Sequence, residues 1–276
     1  MPRALPTPRW IAWTVAAALV LVGVLYSFHR LEQFLIRDAR FTFNDPAVPA
    51  GNQSGGDSGS LDITGSTHAS AQAIQAVFAA DYGSSVYLIP MSDRRDTLRT
   101  VDWIKDASVA RFWPNRIVVG VSERKPVAFV NQGSGGRSGT SAGADAKHPA
   151  LIDEEGVILP PTQDRFTLPT LLGVSAADPI STRRERVQRL LDLMKDLGNA
   201  SHAVSEVDVS DPDNLKISEP FDGHVVTLLL GDRNFALRHQ NFVGYFAEIR
   251  RKDPKAAVLD LRLEDRITVV KEQDEK

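Results

Sequence analysis

The chain has 276 residues, 42% of them apolar, a formal net charge of -3 and no cysteine. That length suits one large domain or two small ones, and that apolar content fits packed cores rather than a disordered polymer. The charge balance gives no general reason to expect nucleic acid, and the missing cysteines exclude disulfides, thiolate-ligated zinc and a cysteine nucleophile.

Taken in chain order, Trp10–Phe28 comes first, 19 positions without a charged residue. As a helix it would be about 28 Å long, close to the roughly 30 Å of a bilayer's hydrocarbon layer. Trp10 and Trp13 stand at one end and Tyr26 and Phe28 at the other, as interfacial aromatic residues do. A core helix would show a polar stripe, and a cleaved signal peptide would show a shorter run and small residues before its cleavage site. The sequence Ser27-Phe28-His29-Arg30 is a poor cleavage site, so the segment is read as a retained anchor. Arg3 and Arg9 precede it and Arg30, Arg37 and Arg40 follow, so the positive-inside rule alone does not orient it.

Asn44–Ser60 and Asn131–Pro149 are rich in Gly, Ser, Ala and Pro. They read as flexible insertions, because such composition buries too little apolar surface to offset the entropy of ordering. Between them the pattern is β-α-α-β-β. A short strand at Leu61–Gly65 leads to a helix capped by Ser70, with Ile74, Val77 and Phe78 on one face. A second helix is expected from Ser92–Asp93 with Leu98 and Val101 inward. Strands at 105–112 and 116–124 are joined by Trp113-Pro114-Asn115, residues suited to a tight turn. Val127–Val130 leads onward.

The remainder mixes strands and helices. Leu151–Leu159 is a hairpin turning at Asp153–Gly156. Thr182-x-x-Glu185 predicts a capping box ahead of a helix with Val187, Leu190, Leu191, Met194 and Leu197 on one face. Strands are expected at Val204–Val209 and Val225–Leu230. A helix over 238–251 presents Phe242, Tyr245, Phe246 and Ile249. Strands at Val258–Leu263 and Ile267–Val270 follow.

Little in the sequence asks for catalysis. His29, His68, His148, His202, His224 and His239 lack ligand-like spacing and read as surface residues rather than metal ligands. Asp208, Asp211 and Asp213 lack the glycine and distal glutamate of a calcium loop and read as turn formers. Arg94, Arg95, Arg99, Lys105, Arg111 and Arg116 form a basic tract, either a solvated face or a contact to anionic headgroups. No catalytic residue, metal or cofactor site is expected.

The run from Asp102 to Val130, DWIKDASVARFWPNRIVVGVSERKPVAFV, resembles the FtsQ/DivIB family of bacterial cell-division proteins. Trp103-Ile104, Ala107, Val109, Arg111, Trp113-Pro114, Ile117 and Val119 match the closing hairpin of the family's POTRA domain. Glu123-Arg124-x-Pro126-Val127-Ala128 matches the motif at its exit. Leu151-Ile-Asp153 with Gly156-Val157, and Leu259-Asp260-Leu261-Arg262 with Ile267–Val270, resemble the start and end of the family's β domain.

The resemblance implies an α+β protein: one transmembrane helix, a POTRA domain, then a mixed α/β β domain ending in an edge strand. It implies a cytoplasmic tail over 1–9, the membrane helix at 10–28 and a linker over 29–60, strand-like at 40–43 and flexible at 44–60. POTRA at 61–130, an insertion at 131–149, the β domain at 150–270 and a charged tail at 271–276 complete the division. It further implies a non-enzymatic, single-pass type II scaffold of the inner membrane, with its bulk periplasmic and concentrated at the septum. Such a scaffold binds FtsB- and FtsL-type proteins and helps control septal peptidoglycan synthesis. Arg262, Leu263, Glu264, Ile267, Thr268, Val269 and Val270 are the partner edge by resemblance, and Trp113, Pro114, Glu123, Arg124 and Pro126 are structural. Two readings from other classes are weighed beside it. A POTRA-bearing outer-membrane assembly factor would show tandem repeats and barrel strands, and a membrane-tethered hydrolase would show a convergent polar site.

Overall fold

The computed structural model describes residues 9–45, 61–131, 149–263 and 266–270. Expectations for residues 1–8, 46–60, 132–148, Glu264 and 271–276 lie outside the described residues. The architecture is α+β, and the chain divides into two compact units between Glu123 and Arg124.

The first unit begins with α1 (Arg9–Arg37), a helix long and apolar enough to cross a membrane. It outruns the apolar stretch, because Arg30, Leu31, Glu32 and Gln33 are good helix formers and the helix breaks only at Asp38. Asp38 is extended and its carboxylate accepts the Arg40 N–H, opening a 3-10 turn at Ala39–Phe41. Residues 29–37 are thus helix where a linker was expected. Residues 40–43 are this turn and a single bridge from Thr42 to Ser85, not a strand. Phe43 is fully buried, its ring 5.0 Å from Tyr82 and 6.2 Å from Phe78.

The sheet of this unit has the order β1-β3-β2, with β1 (Leu61–Thr64) parallel and β2 (Ile104–Phe112) antiparallel to β3 (Arg116–Glu123). Alternation along β3 turns Ile117 and Val119 into the core. Strand β1 ends at Gly65 (φ +80°), where an added Cβ would lie 2.3 Å from the Val121 carbonyl oxygen, so only glycine fits. Ser70 caps α2 (Ala71–Val77) by accepting the Ala73 N–H. Helix α3 (Met91–Leu98) starts at Pro90 rather than Ser92, whose hydroxyl instead donates to Asp93. The basic tract is largely engaged within the unit. Arg94 donates to Asp81 at 2.6 and 2.8 Å, Arg99 to Asp106 at 2.9 Å, and Arg111 to the Tyr87 and Ile89 carbonyls.

Among its described residues the second unit is a nine-stranded sheet of order β12-β11-β10-β9-β8-β7-β4-β5-β6 with helices α4 (Ile180–Leu197) and α5 (Phe235–Lys252). Strand β4 (Pro126–Val130) sits between β5 (Ala150–Asp153) and β7 (Thr170–Leu172). The expected first domain, 61–130, therefore runs too far: its last strand belongs to the second sheet. Strand β6 (Ile158–Leu159) closes the β5 hairpin and ends the sheet on that side.

Helix α4 begins after Pro179, so Thr182 lies inside it and the capping box does not form; Pro179, with its fixed φ and no N–H to satisfy, sets the start. Val187, Leu190, Leu193 and Leu197 of α4, and Phe242 and Phe246 of α5, are buried. They share a core with Leu215 and Ile217 of β9 (Leu215–Phe221) and Val226, Leu228 and Leu230 of β10 (His224–Gly231). Glu219 has the same parity as Ile217 and is fully buried there. The His239 imidazole of α5, 3.0 and 3.1 Å from its two oxygens, makes that tolerable. Strand β8 (Glu206–Asp208) joins β7 to β9, and the Asp208–Asp213 cluster is a turn in which Asp208 pairs with Lys216 at 3.2 Å.

A candidate protein-docking edge

The end of the sheet opposite β6 is built from β11 (Val258–Asp260), which runs parallel to β10, and β12 (Thr268–Val269), which pairs antiparallel with β11. Leu259 faces Val269 and Asp260 faces Thr268. The Val270 N–H donates to the Val258 carbonyl at 2.9 Å, which fixes the parity of the strand. Residues 268 and 270 turn their backbone groups toward β11, and by alternation Ile267 and Val269 turn theirs away, to the side where no strand lies among the described residues. The far side of β11 is consistent: the Leu261 N–H donates to Leu229 of β10 at 3.0 Å.

Side chains follow the same alternation. Ile267 and Val269 are half-buried against the core, while Thr268 and Val270 are exposed. Between this strand and α5 runs a groove of about 550 Å³, with Tyr245, Ile249, Leu261, Ile267 and Val269 supplying apolar walls. Glu248, Lys252 and Arg266 supply its charged rim. Tyr245 is 59% exposed although its helix neighbours Phe242 and Phe246 are buried, so an amphipathic helix face remains open beside an open strand.

The turn between β11 and β12 is tied down from two sides. Arg238 of α5, itself buried, donates to the Leu230 carbonyl and to the Arg262 carbonyl, the latter at 2.9 Å. Asp260 accepts the Arg262 backbone N–H at 3.0 Å and its guanidinium at 2.9 and 2.6 Å. The Arg262 guanidinium holds the Asp260 carboxyl below the usual aspartate range, more strongly than partial burial raises it. A depressed carboxylate stabilises its fold fully above its unfolded pKa of about 3.9 and loses that contribution as the pH falls through the folded value. Acidification through that depressed folded value, below the usual aspartate range, is therefore expected to release the Arg262 side chain. Its Nε–H resonance will shift in the wild type and stay unchanged with pH in Asp260→Asn.

Of the residues assigned to the edge by sequence, Ile267, Thr268, Val269 and Val270 stand together on it. Leu263 is exposed at its approach, and Arg262 is exposed beside it with its guanidinium paired to Asp260. The α5 wall was not foreseen; the exposed Tyr245 amid buried phenylalanines was the available signal.

The second set of residues lies elsewhere, and not in one place. Trp113 and Pro114 form the half-exposed tip of the β2–β3 hairpin, joined by a cis peptide bond. Glu123 accepts the backbone N–H groups of Thr67, His68 and Ala69 at 2.7, 2.7 and 2.8 Å, and the His68 Nδ1 lies 2.8 Å from its other oxygen. His68 in turn stacks on Trp103 at 4.6 Å. Arg124, in the second unit, bonds Asp153 at 2.6 Å and Glu155 at 2.9 Å. Pro126 opens β4 beside a register shift, where its missing N–H leaves no gap in the ladder. Among the described residues no group of three or more His, Asp or Glu side chains is placed to hold a metal. Neither His–carboxylate pair lines the groove.

A small β-α-α-β-β unit followed by a unit built on a larger open mixed sheet defines a two-unit α+β protein with a POTRA-like first unit. Residues 59–124 match the family model for the POTRA domain, FtsQ-type, and residues 143–262 match that for the C-terminal part of the cell division protein FtsQ/DivIB. The chain belongs to the FtsQ/DivIB family of cell-division proteins.

Among its relatives, the cell division protein FtsQ of Koribacter versatilis is 33% identical over 218 residues, which are 76% of this chain and 59% of that protein. FtsQ of Zymomonas mobilis is 30% identical over 42% of this chain and 33% of the relative. FtsQ of Bordetella pertussis is 30% identical over 26% of this chain and 27% of the relative. The chain thus spans less than two thirds of the length of these curated relatives. A solved structure, the major extracytoplasmic domain of DivIB from Geobacillus stearothermophilus, aligns over 49% of this chain and 98% of its own, at 20% identity and a TM-score of 0.26.

Proposed function

We propose that this protein is a non-enzymatic scaffold of the division machinery that captures a partner by strand addition. The observation that carries the proposal is the outward parity of Ile267 and Val269 on the terminal strand beside the α5 groove. A strand added there gains main-chain hydrogen bonds, while side chains of one parity fall over Tyr245 and Ile249 and select the sequence. The partners are FtsB- and FtsL-type membrane proteins, as the family membership suggests. Helix α1 anchors the chain in the inner membrane, residues 1–9 stay in the cytoplasm, and both folded units lie in the periplasm at the septum. There the captured partners act in controlling septal peptidoglycan synthesis.

Capture of the full chain from gently solubilised envelope tests the reading. FtsB- and FtsL-type proteins are expected to copurify with the wild type and to be lost when residues 267–276 are deleted. A folded wild-type chain that captures neither would sink it. A reporter active only outside the cytoplasm, fused after Lys276, is expected to be active.

A further inference from the structure

Among the described residues of the first unit, the exposed large apolar side chains outside α1 are Tyr87, Leu88, Phe112 and Trp113. Tyr87 and Trp113 lie together, with Leu88 and Phe112 next to them in sequence. Phe41 bridges the last turns of α1 to the hairpin tip, its ring 5.8 Å from Phe34 and 5.3 Å from Trp113, and Tyr87 lies 6.5 Å from Trp113. The Ser85 hydroxyl donates to the Leu35 carbonyl at 2.7 Å, and the Val86 N–H to the Phe41 carbonyl at 2.8 Å, so α1 is tied to the segment that carries Tyr87 and Leu88. Arginines lie over the exposed rings: Arg40 over Phe34 and Arg116 over Phe112, both at 5.5 Å, and Arg111 over Tyr87 at 6.0 Å.

We propose that this patch is a second membrane contact, which seats the first unit on the surface of the bilayer that α1 crosses. The inference rests on the proposed crossing by α1. About 20 residues fill the hydrocarbon layer, a length met between Trp10 and His29. Phe34 then stands about 7.5 Å further along the axis at 1.5 Å per residue. That is roughly the depth of the headgroup layer, which is the difference between a 40–45 Å bilayer and its 30 Å core shared over two sides. The helix therefore delivers Phe34, and beside it the Phe41 and Trp113 rings that follow from it, to the outer edge of the headgroup layer.

The composition fits that depth. Tryptophan, tyrosine and phenylalanine favour the interface, and Arg40 and Arg116, paired with Asp38 and Asp62, keep exposed guanidinium groups within reach of anionic lipid phosphates. In water the neighbouring rings of Tyr87, Trp113 and Phe34 would stay half-uncovered. Seated on lipid, they hold the unit at a fixed height and limit its rotation about the end of α1.

The chain has no cysteine, so single labels can be introduced without background. Leu88→Cys, Ser122→Cys and Val20→Cys, each carrying a fluorescent probe, are compared in the full chain. The chain is reconstituted in vesicles of phosphatidylethanolamine and phosphatidylglycerol. Ser122 is exposed and lies about 20 Å along β3 from Arg116 at the hairpin end, at roughly 3.3 Å per residue. The Leu88 label is expected to be quenched by headgroup-brominated lipid and several-fold less by aqueous iodide than the Ser122 label, with the Val20 label quenched only by acyl-chain-brominated lipid. The double variant Phe112→Ser with Trp113→Ser alters only half-exposed side chains, and is expected to return the Leu88 label to the aqueous response. A lipid-quenched Val20 with a Leu88 label as open to iodide as Ser122 would overturn the patch and leave the anchor standing. An aqueous Val20 label would overturn the anchor, and the patch with it.

Discussion

Proline at Ile267 or Val269 is expected to abolish capture of an FtsB-type partner and leave the sheet intact, while proline at Thr268 or Val270 detaches the edge strand itself. The difference comes from one hydrogen bond. Because the Val270 N–H is donated to Val258, the backbone of 268 and 270 belongs to the native ladder and that of 267 and 269 to the incoming strand. Proline removes a donor and places ring carbons where it stood, so at an outward position the loss falls on the partner and at an inward position on the fold. One lost main-chain bond together with the steric block is expected to weaken binding by more than about tenfold, at 1.4 kcal/mol per tenfold. Hydrogen exchange separates the cases. The Asp260 amide faces Thr268 of β12; it stays protected in the two outward variants and exchanges faster in the two inward ones. Retained capture by both outward variants would remove this edge as the docking site.

Sequence pattern revealed the parts of this fold whose alternation is undisturbed. The β-branched run Ile117-Val118-Val119 with Val121, bounded by Arg116 and Ser122, announces β3, and Ser70 ahead of an apolar-periodic run announces α2. Strand β9 was missed because its inward positions read Leu215, Ile217 and then Glu219, and Pro220 follows. The carboxylate is acceptable there only through His239, which arrives from a helix 20 residues later. Strand β7 was missed because three residues behind Pro169 carry no period. The extension of α1 is not legible in hydropathy, because charge ends the apolar run and not the helix. At the docking edge the strand was legible and its parity was not. Parity is decided by which amides β11 already holds, and that is a property of the register rather than of residues 267–270.

Glu123→Ala and Arg124→Ala, one residue apart, are expected to destabilise different units. The Glu123 carboxylate is the common acceptor for three successive backbone donors, Thr67, His68 and Ala69, in the loop that precedes α2. Burial pushes its carboxyl up, but the Ala69 N–H, the His68 imidazole and the remaining backbone donors outweigh it, leaving the group below the usual glutamate range. Removing it strands those donors and frees His68 from its stack on Trp103. Charge-assisted bonds of this kind contribute about 1.5–3 kcal/mol each, and with solvent replacing part of them a net loss of about 2–4 kcal/mol is expected. Because the folded pKa is depressed, this contribution is complete above about pH 4.3 and disappears as the pH falls through the folded value, so the wild type approaches the alanine variant in acid. Arg124 acts on the other unit. Its guanidinium pairs with Asp153, whose side chain is 2% exposed and whose other oxygen accepts the Glu155 and Val157 N–H groups of the hairpin turn. Breaking a buried pair from one side costs about 3–5 kcal/mol, less here because Arg124 itself is partly exposed. Hydrogen exchange on the full chain reads both. Glu123→Ala should raise exchange at 67–78 and spare 150–159, and Arg124→Ala should do the opposite. Equal loosening of both segments by either variant would show that the Glu123–Arg124 boundary does not separate two independently stabilised bodies.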